Sequence, residues 1–263
     1  MITASTNPKV KNLINLVKKG KARKEQDVFV AEGSKMFMEA DPGRIREVWL
    51  SHSFFLKLKE KEDIREKLAL CRVEVLADSL FERVSDTGTP QGILCVIRQY
   101  HYDLDELLKR EKPLLLLLED IQDPGNLGTM LRTAEGAGAD GVIMSKGTVD
   151  IYNPKTIRST MGSVYRVPFF YTESLPEIVH RLHQKRITVY AAHLRGERAY
   201  YQEDFSSGCA FLFGNEAKGL KEETARAAGN YMKIPMRGRV ESLNAATAAS
   251  ILLYEAVRQR NMK

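Results

Sequence analysis

The strongest constraint on the fold is a run of five leucines, Leu114–Leu118, between Pro113 and the acidic pair Glu119-Asp120. An uninterrupted apolar run of this length, with breaking or charged residues on both sides, is typical of a strand buried on both faces. Strands of that kind occur in parallel sheets that carry helices on either side. The run therefore predicts an α/β domain in this half of the chain.

The residues after this run alternate between strand and helix patterns, which predicts a doubly wound parallel sheet. The predicted strands lie at 142–145, 187–192, 209–214 and 232–235, and the predicted helices at 127–135, 175–185, 220–228 and 243–260.

The first hundred residues predict a smaller α/β domain of their own. Its strands are expected at 28–31, 46–51, 73–76 and 92–98, and its helices at 9–19, 34–40, 57–70 and 79–84. A chain of 263 residues suits two modest domains. Because residues 101–112 are polar and charged, we interpret them as a linker between domains at 1–100 and 113–263.

The segment Gly136–Gly141 reads G-x-G-x-x-G, the pattern of a dinucleotide-binding loop. That loop must follow a strand and open a helix, so that the helix N-terminus faces the pyrophosphate. Here the order is reversed, since a predicted helix precedes the glycines and a predicted strand follows them. The glycines are better interpreted as a helix C-cap and tight turn, and a nicotinamide-dependent oxidoreductase is disfavoured.

Charge indicates an anionic partner. The formal net charge is +6, and seven basic residues and no acidic ones occur in the first 24 positions. These residues either form a solvated helix face or contact phosphates. The residues that we expect to contact phosphates are Lys9, Lys11, Lys18 and Arg23.

Other patterns point away from metal and membrane chemistry. Cys71, Cys95 and Cys209 lie far apart and form neither a metal-binding spacing nor a disulfide framework. The histidines are scattered, so no metal site is expected. No apolar run approaches the roughly 20 residues of a membrane span, and the N-terminus has no signal-peptide pattern. We therefore expect a cytoplasmic protein.

Three stretches of the second half carry candidate chemistry. The segment "EDIQDPGNLGTMLRTAEGAGA" places Asn126 and Arg132 directly after the leucine strand. The segment "FLFGNEAKGL" ends a predicted strand in a glycine turn that contains Glu216. The segment "IPMRGRVESLNAATAASILLYEAVRQR" gives a loop with Ser242 and Asn244, followed by an alanine-rich helix.

These stretches, in this order, resemble the three motifs of the SpoU (TrmH-like) family of RNA ribose 2′-O-methyltransferases, in the SPOUT class. The N-terminal stretches "NPKVKNLINL", "FVAEGSKMFMEA" and "SDTGTPQGILCV" are similar to that family's substrate-binding domain. The resemblance implies a C-terminal parallel-sheet domain with a trefoil knot and a smaller N-terminal α/β substrate-binding domain. It also implies S-adenosylmethionine as cofactor and a homodimer that forms through the C-terminal domain.

The resemblance carries roles to particular residues. Those implied to bind the cofactor, largely through backbone atoms and apolar contact, are Ala192, Gly214, Ile234, Met236 and Leu243. Those implied to serve catalysis are Asn126, Arg132, Glu216, Ser242 and Asn244.

Physical chemistry limits these roles. Arg132, either buried at the sheet edge or on the surface in an ion pair, stays protonated, so phosphate binding and polarisation of the ribose hydroxyl suit it better than base catalysis. Asn126 would orient Arg132 or the ribose, and Glu216 would hold Arg132 or an amide of the cofactor loop. Ser242 and Asn244 would hydrogen-bond near the sugar. The structural alternatives are an Asx turn for Asn126 and a helix N-cap for Ser242.

The N-terminal domain would select the RNA, and ribosomal RNA is favoured over transfer RNA by the family's habit alone. Tyr100, Phe29 and Trp49 are candidates to stack on bases, although core packing suits Phe29 and Trp49 better. His193 is interpreted as part of a loop beside the cofactor. Two alternatives stay open: an RNA-binding protein of this fold without catalysis, and a SPOUT-class methyltransferase that acts on transfer RNA or on a base.

Overall fold

The computed structural model describes residues 1–262, which form two compact units. The first contains Met1–Tyr100 and also Asp150–Tyr165, and the second contains His101–Val149 and residues 166–262. The segment Asp150–Tyr165 therefore lies between two parts of the second unit in sequence but belongs to the first unit in the structure. The predicted limits of 1–100 and 113–263 did not anticipate this exchange and stay a prediction.

The first unit is built on a mixed four-stranded sheet. Its strands are β1 (Val28–Glu32), β2 (Ile45–Ser51), β3 (Val73–Leu76) and β4 (Ile93–Arg98). The order is β1-β4-β2-β3, in which β4 runs antiparallel to both neighbours while β2 and β3 are parallel. The helices of this unit are α1 (Pro8–Lys18), α2 (Gly20–Gln26), α3 (Ser34–Glu39), α4 (His52–Leu56), α5 (Glu62–Leu68), α6 (Asp78–Val84) and α9 (Pro154–Thr160).

Helix α1 forms for reasons visible in its sequence. The side chain of Asn7 accepts a hydrogen bond from the Lys9 N–H, and Pro8 occupies the first turn, where no backbone donor is needed. The predicted apolar face packs into the core of the unit through Val10, Leu13, Leu16 and Val17.

One helix prediction in this unit needs correction, and some of its short helices, among them α2 and α4, were not predicted. The single helix expected at 57–70 is instead a short 3-10 turn, Lys57–Glu60, followed by α5. Lys61, with φ −129° and ψ 72°, lies outside helical geometry and separates the two pieces. Helix α2 was not predicted, because its sequence, GKARKEQ, has no apolar period.

The second unit is built on a seven-stranded sheet in which every recorded pairing is parallel. Its strands are β5 (Leu114–Leu118), β6 (Gly141–Ser145), β7 (Phe169–Thr172), β8 (Thr188–Ala192), β9 (Arg198–Ala199), β10 (Cys209–Phe213) and β11 (Asn230–Lys233). Their order is β7-β6-β5-β10-β8-β11-β9. The helices are α7 (Leu104–Leu107), α8 (Pro124–Gly136), α10 (Leu175–Gln184), α11 (Glu222–Ala228) and α12 (Ala245–Asn261).

The leucine run occupies the centre of this sheet, as predicted. Strand β5 pairs with β10 on one side and β6 on the other, and all five of its leucines are buried. Leu115 and Leu117 pack in one cluster with α10, while α12 packs against β10 and α8. The parallel α/β class is therefore confirmed, and the implied trefoil knot stays a prediction.

The glycine-rich segment lies between a helix and a strand, as predicted. Gly136 is the last residue of α8, Gly138 has φ +66°, and Gly141 opens β6. The N–H of Ala139 donates to the carbonyl of Ala134 at 2.8 Å and closes the turn. This positive φ is the reason for a glycine at position 138. Among the described residues, no helix is both long and apolar enough to cross a membrane.

Candidate active site

A cavity of about 490 Å³ lies at the carboxyl ends of β8, β10 and β11, within the second unit. Parallel strands bring the loops that follow them to one edge of the sheet, so residues far apart in sequence meet there. The residues predicted to bind the cofactor all line this cavity, namely Ala192, Gly214, Ile234, Met236 and Leu243. They come from three separate loops.

The loop after β10 closes tightly on itself at Gly214. A Cβ atom at this position would lie 2.2 Å from the carbonyl carbon of Gly219 and 2.3 Å from the nitrogen of Leu220. The backbones of Asn215 and Gly219 exchange hydrogen bonds of 3.1 and 2.8 Å. Because the obstructing atoms belong to the backbone, only glycine fits at position 214 in this loop.

Asn215 braces the same loop, a role that the sequence analysis missed. Its Nδ2 donates to the carbonyl oxygen of Asp120 at 2.8 Å, at the end of β5. Its Oδ1 accepts from the N–H groups of Ala217 and Lys218 at 3.0 and 2.9 Å. A side chain that bonds backbone two and three residues ahead is a turn signal readable from sequence, but the bond to Asp120 is not.

His193 lies in the loop after β8 and lines the cavity, beside the predicted cofactor residue Ala192. Its Nδ1 accepts the N–H of Arg195 at 3.0 Å, and its ring meets Tyr231 edge-on at 5.3 Å. Burial, followed by the charge of Arg195, lowers the pKa of His193, and Glu222 opposes this shift. The neutral imidazole therefore carries its proton on Nε2, since Nδ1 acts as acceptor.

Three predicted catalytic residues are joined by hydrogen bonds. Asn126 Nδ2 donates to Glu216 Oε1 at 3.0 Å, and Asn244 Nδ2 donates to Asn126 Oδ1 at 2.9 Å. Glu216 and Asn244 line the cavity. The chain Asn244–Asn126–Glu216 therefore connects the three sequence motifs, and we call it the rim chain.

Glu216 is the acceptor at the end of the rim chain. Besides Asn126, it accepts the backbone N–H of Gln122 at 3.1 Å and of Asp123 at 3.2 Å. Desolvation acts to raise the pKa of Glu216, but the hydrogen bonds from Asn126, Gln122 and Asp123 outweigh it and lower the pKa. Glu216 is therefore a carboxylate that positions the start of α8. It holds Asn126 and these amides, not Arg132.

Both structural alternatives for the motif residues are wrong. The N-cap of α8 is Asp123, whose side chain accepts the backbone N–H of Asn126. The side-chain amide of Asn126 takes part in the rim chain instead of forming an Asx turn. The cap of α12 is Asn244, whose Oδ1 accepts the N–H groups of Ala246 and Thr247. Ser242 precedes this cap, is exposed and lines the cavity.

Arg132 is placed differently from the expectation. It is exposed on α8, so burial at the sheet edge is wrong, and the alternative of a surface position is found without the expected ion pair. Within residues 1–262 its guanidinium has no hydrogen-bond or ion-pair partner, and it is not among the described residues that line the cavity. Its position in a helical turn where polar residues face solvent explains the exposure. A role toward RNA stays a prediction.

The predicted phosphate contacts divide into two groups. Lys9, Lys11 and Lys18 are exposed on α1, and Lys9 pairs with Glu74. Arg23 is only 4% exposed, so the prediction that it contacts RNA is corrected. Its guanidinium donates to the carbonyls of Leu16 and Val17 at the end of α1, and to Asp150 at 2.5 Å.

The aromatic candidates of the first unit also divide. Phe29 and Trp49 are fully buried, as core packing required. Tyr100 is half-buried, with the Arg44 guanidinium 4.3 Å from its ring centroid and the Phe29 ring at 6.4 Å. These neighbours occupy its ring in the structure, so Tyr100 is a packing residue of this unit.

Metal-binding geometry is not found in the described part of the chain, where no three histidine, cysteine, aspartate or glutamate side chains form a group that could hold an ion. The polar residues that line the cavity and were not predicted include Lys218, Lys233 and Glu241. Each lies within one of the motif stretches or directly beside it, so this position was the only signal available for them.

Comparisons with known proteins agree with this geometry. The SpoU rRNA Methylase family matches residues 113–254, and the MRM3-like substrate binding domain matches residues 7–95. The chain is 34% identical over 256 residues to the 23S rRNA (guanosine(2553)-2′-O)-methyltransferase RlmP of Bacillus subtilis, covering 96% of this chain and 97% of that one. It is 30% identical to the 23S rRNA (guanosine-2′-O-)-methyltransferase RlmB of Shewanella oneidensis, covering 90% and 99%.

Solved structures give the same result. The AdoMet-bound rRNA methyltransferase from Sinorhizobium meliloti superposes with a TM-score of 0.83 at 32% identity, covering 98% of this chain and 97% of that one. The SpoU methyltransferase AviRb from Streptomyces viridochromogenes, in complex with AdoMet, superposes with a TM-score of 0.86 at 28% identity, covering 97% and 98%. Sequence motifs, site geometry and both kinds of comparison lead to one conclusion: the chain belongs to the SpoU rRNA methylase family.

Proposed function

We propose that this protein uses S-adenosylmethionine to methylate a ribose 2′-hydroxyl in ribosomal RNA. The observation that carries the proposal is a cavity lined by the second and third motifs, to which the rim chain joins Asn126 of the first motif through Glu216 and Asn244. Relatives named as 23S rRNA 2′-O-methyltransferases and AdoMet-bound neighbours support the substrate and the cofactor. The protein acts in the cytoplasm in this proposal.

The cavity fits the cofactor. Its volume of about 490 Å³ falls in the range of roughly 300–1,000 Å³ typical of small-ligand sites. Ile234, Met236 and Leu243 give it apolar walls, while Glu241 and Ser242 add polar groups. A ligand with a flat nucleoside and a charged amino-acid end needs this combination. The side chains of those three apolar residues and the backbone at Ala192 and Gly214 would hold it.

When bound, S-adenosylmethionine supplies an activated methyl group on a positively charged sulfur. The protein must therefore orient the ribose hydroxyl and exclude water. Asn126 is fixed from both ends by Glu216 and Asn244, so it cannot rotate freely. The exposed Ser242 hydroxyl is the adaptable hydrogen-bonding group beside this rigid chain.

Arg132 contributes charge in this proposal. A guanidinium stays protonated and pairs well with phosphate, so Arg132 would bind an RNA phosphate and polarise the hydroxyl. Its exposure and lack of a partner in residues 1–262 leave it available for this contact. It would act either in its own subunit's site or in the partner's.

A homodimer through the second unit is the proposed assembly. Helices α8 and α12 pack together, with the hydroxyls of Thr133 and Ser250 3.1 Å apart. Tyr254, 52% exposed on α12, lies beside Gly136 at the end of α8. This exposed face of two helices suits contact with a second copy. Light scattering should give twice the chain mass, and a Tyr254→Glu variant should be monomeric.

The test of the activity uses methyl-labelled S-adenosylmethionine with unmodified transcripts of 23S rRNA, 16S rRNA and transfer RNA, followed by alkaline hydrolysis. A 2′-O-methyl group blocks cleavage at its own linkage, so label in alkali-resistant dinucleotides is expected from one rRNA. Label in mononucleotides would indicate base methylation. The absence of label, with cofactor binding intact, would indicate an RNA-binding protein without catalysis.

Two variants examine Arg132 in the same assay. Arg132→Ala should lower kcat by about 100-fold, because one preorganised charged donor is typically worth that much, and should leave cofactor affinity unchanged. The matched control is Arg181→Ala, which removes a half-buried arginine that pairs with Asp105 on the same unit. Equal loss in both variants, or no loss in either, would overturn the role of Arg132.

A further inference from the structure

A second concavity, of about 330 Å³, lies entirely within the first unit. It opens where β2 begins and β4 ends, beside α1 and the last residue of α2. The motif stretches of this unit, around Gly33 and from Ser85 to Gly92, are not among its described lining residues. We call it the arginine groove, after Arg46 and Arg72.

Arg46 and Arg72 come from neighbouring parallel strands. Arg46 is the second residue of β2, and Arg72 immediately precedes β3, whose first residue, Val73, is paired with Val48. Both arginines are exposed, and within residues 1–262 neither guanidinium makes a hydrogen bond or an ion pair. Each therefore presents unused donors in the planar arrangement that matches a phosphate.

The charge of the groove is positive. Lys9 joins the two arginines in the lining, and Glu47 is the one described carboxylate that also lines it. Glu74 lies against Lys9 and neutralises part of its charge. Three cations and one lining carboxylate favour an anionic ligand.

An amide pair adds directional hydrogen bonding. Asn12 Nδ2 donates to Gln26 Oε1 at 3.1 Å, and Gln26 Nε2 donates to Asn12 Oδ1 at 2.8 Å. A primary amide has two N–H groups and two acceptor lone pairs. Each side chain thus keeps one N–H donor and one acceptor lone pair after the pair has formed. These groups can form hydrogen bonds with the polar edge of a base.

The floor of the groove is apolar. Leu16 and Val96 are buried beneath it, and Pro8 lies at its side. An unpaired nucleotide brings a phosphate, an apolar base face and a polar base edge together. The arginines, the floor and the amide pair offer one partner to each of these three parts, whereas an acidic peptide would use only the charges.

We propose that the arginine groove binds an unpaired nucleotide of the RNA substrate, with its flanking phosphates on Arg46 and Arg72. The proposal rests on the proposed function. It is supported by the match of residues 7–95 to a substrate-binding domain, because that range contains every groove residue named here except Val96. The nucleotide bound in the groove would be a different nucleotide of the RNA from the one whose ribose is methylated.

The test compares two double variants of the full-length protein. Arg46→Gln/Arg72→Gln removes the groove charges, and Arg65→Gln/Arg83→Gln removes two exposed arginines of the same unit outside the groove. Filter binding to unmodified 23S rRNA transcript should weaken about tenfold for the groove variant. The slope of log K against log salt should fall by roughly 1.5, since each lost phosphate contact contributes about 0.7–0.9.

The control variant should bind RNA nearly as the wild type does, and all three proteins should bind S-adenosylmethionine equally. If both double variants weakened RNA binding equally, the groove arginines would contribute no more than any other positive charge of this unit, and the proposal would be overturned. Photocrosslinking with 4-thiouridine transcript provides a second measurement. It should label the peptide from Pro8 to Gln26, and crosslinks confined to other peptides would also overturn the proposal.

These outcomes separate the groove from the activity. If the wild type methylates rRNA while the groove variant binds RNA as the control does, the groove proposal fails and the proposed function stands. If the wild type binds RNA through the groove but transfers no methyl group, the proposed function fails and the RNA site stands.

Discussion

The rim chain of the second unit and the arginine groove of the first hold their polar side chains in opposite ways. Asn126, Glu216 and Asn244 are bonded to one another, and Glu216 also binds backbone amides. The guanidinium groups of Arg46 and Arg72 have no hydrogen-bond or ion-pair partner in the described residues. One region is preorganised before any ligand arrives, and the other keeps its charges available.

This difference suits two kinds of ligand. A small cofactor and one reacting hydroxyl require groups fixed in position, because small displacements cost rate. A long polyanion requires cations that can adapt to it, and its binding is sensitive to salt. The comparison therefore predicts that changes near the cavity alter cofactor binding and catalysis, while changes in the groove alter RNA affinity.

The largest effect is expected from Gly214→Val. The new Cβ would meet backbone atoms of Gly219 and Leu220 at 2.2 and 2.3 Å, so the loop after β10 must move. A shift of about 1 Å in a positioning group can lower the rate of an enzyme about 100-fold. We expect a loss of at least that factor in S-adenosylmethionine affinity, measured by titration calorimetry. RNA affinity should stay unchanged.

Gly88→Val is the control for this prediction, since a Cβ atom at position 88 would meet no described atom within 4 Å beyond its own chain neighbours. Normal cofactor affinity in Gly214→Val would show that the close return of the loop is not required. Loss of RNA affinity together with cofactor affinity would break the separation between the two regions.

An intermediate effect, on stability, is expected from Arg23→Met. The substitution leaves Asp150 and the carbonyls of Leu16 and Val17 without their guanidinium partner. Breaking a buried pair costs about 3–5 kcal/mol, and the partial exposure of Asp150 places the expected loss at about 3 kcal/mol. Urea unfolding of the purified variant measures it.

The groove variant Arg46→Gln/Arg72→Gln should change the free energy of unfolding by less than about 0.5 kcal/mol, as exposed substitutions do. The distinction between a structural Arg23 and available groove arginines would be wrong if the groove variant unfolded as easily as Arg23→Met. That distinction would also be wrong if Arg23→Met lowered the salt dependence of RNA binding without lowering the free energy of unfolding.

The smallest effect concerns the ionisation of Glu216. Desolvation raises the pKa of this carboxyl, but hydrogen bonds from Asn126 and backbone N–H groups lower it more, so it lies below the ordinary 4.5. A pKa lowered on folding contributes stability above the unfolded-state value, and this stability is lost as pH falls through the folded-state value. The stability difference between wild type and Glu216→Gln should therefore be present at neutral pH and vanish in acid.

Urea unfolding from neutral pH to below pH 4 measures this difference, with Glu66→Gln as an exposed control from the first unit. The expected effect is small because Glu216 is itself exposed. A difference that stayed constant through the acid range would show that the rim chain does not depend on the charge of Glu216.

The sequence predicted the parts of the site that depend on local order. The family resemblance assigned Gly214, Ile234 and Leu243 to the cofactor site, and they share one cavity because loops that follow parallel strands meet at one sheet edge. The turn at Gly138 was predicted from the order of elements, since a predicted helix precedes these glycines and a predicted strand follows them. The family resemblance added the roles, and the geometry is consistent with them.

Other parts required three-dimensional packing. Arg23 has the same sequence signal as the exposed Lys18, yet the turn after α1 directs it inward onto the carbonyls at the end of that helix. Arg46 and Arg72 stand 26 positions apart and share a groove only because β2 and β3 are paired. The sequence left Arg132 either buried at the sheet edge or on the surface in an ion pair, and only its orientation on α8 showed that it lies in solvent.

Hydrophobic pattern and motif order, read from the amino-acid sequence alone, determined the α/β class, the central leucine strand and the family. The tertiary structure alone decided which side chains pair, which arginines stay free and which unit receives the segment Asp150–Tyr165. The physical reason is range. Strand and helix patterns arise between residues a few positions apart, whereas a hydrogen bond such as that from Asn244 to Asn126 depends on the packing of the whole unit.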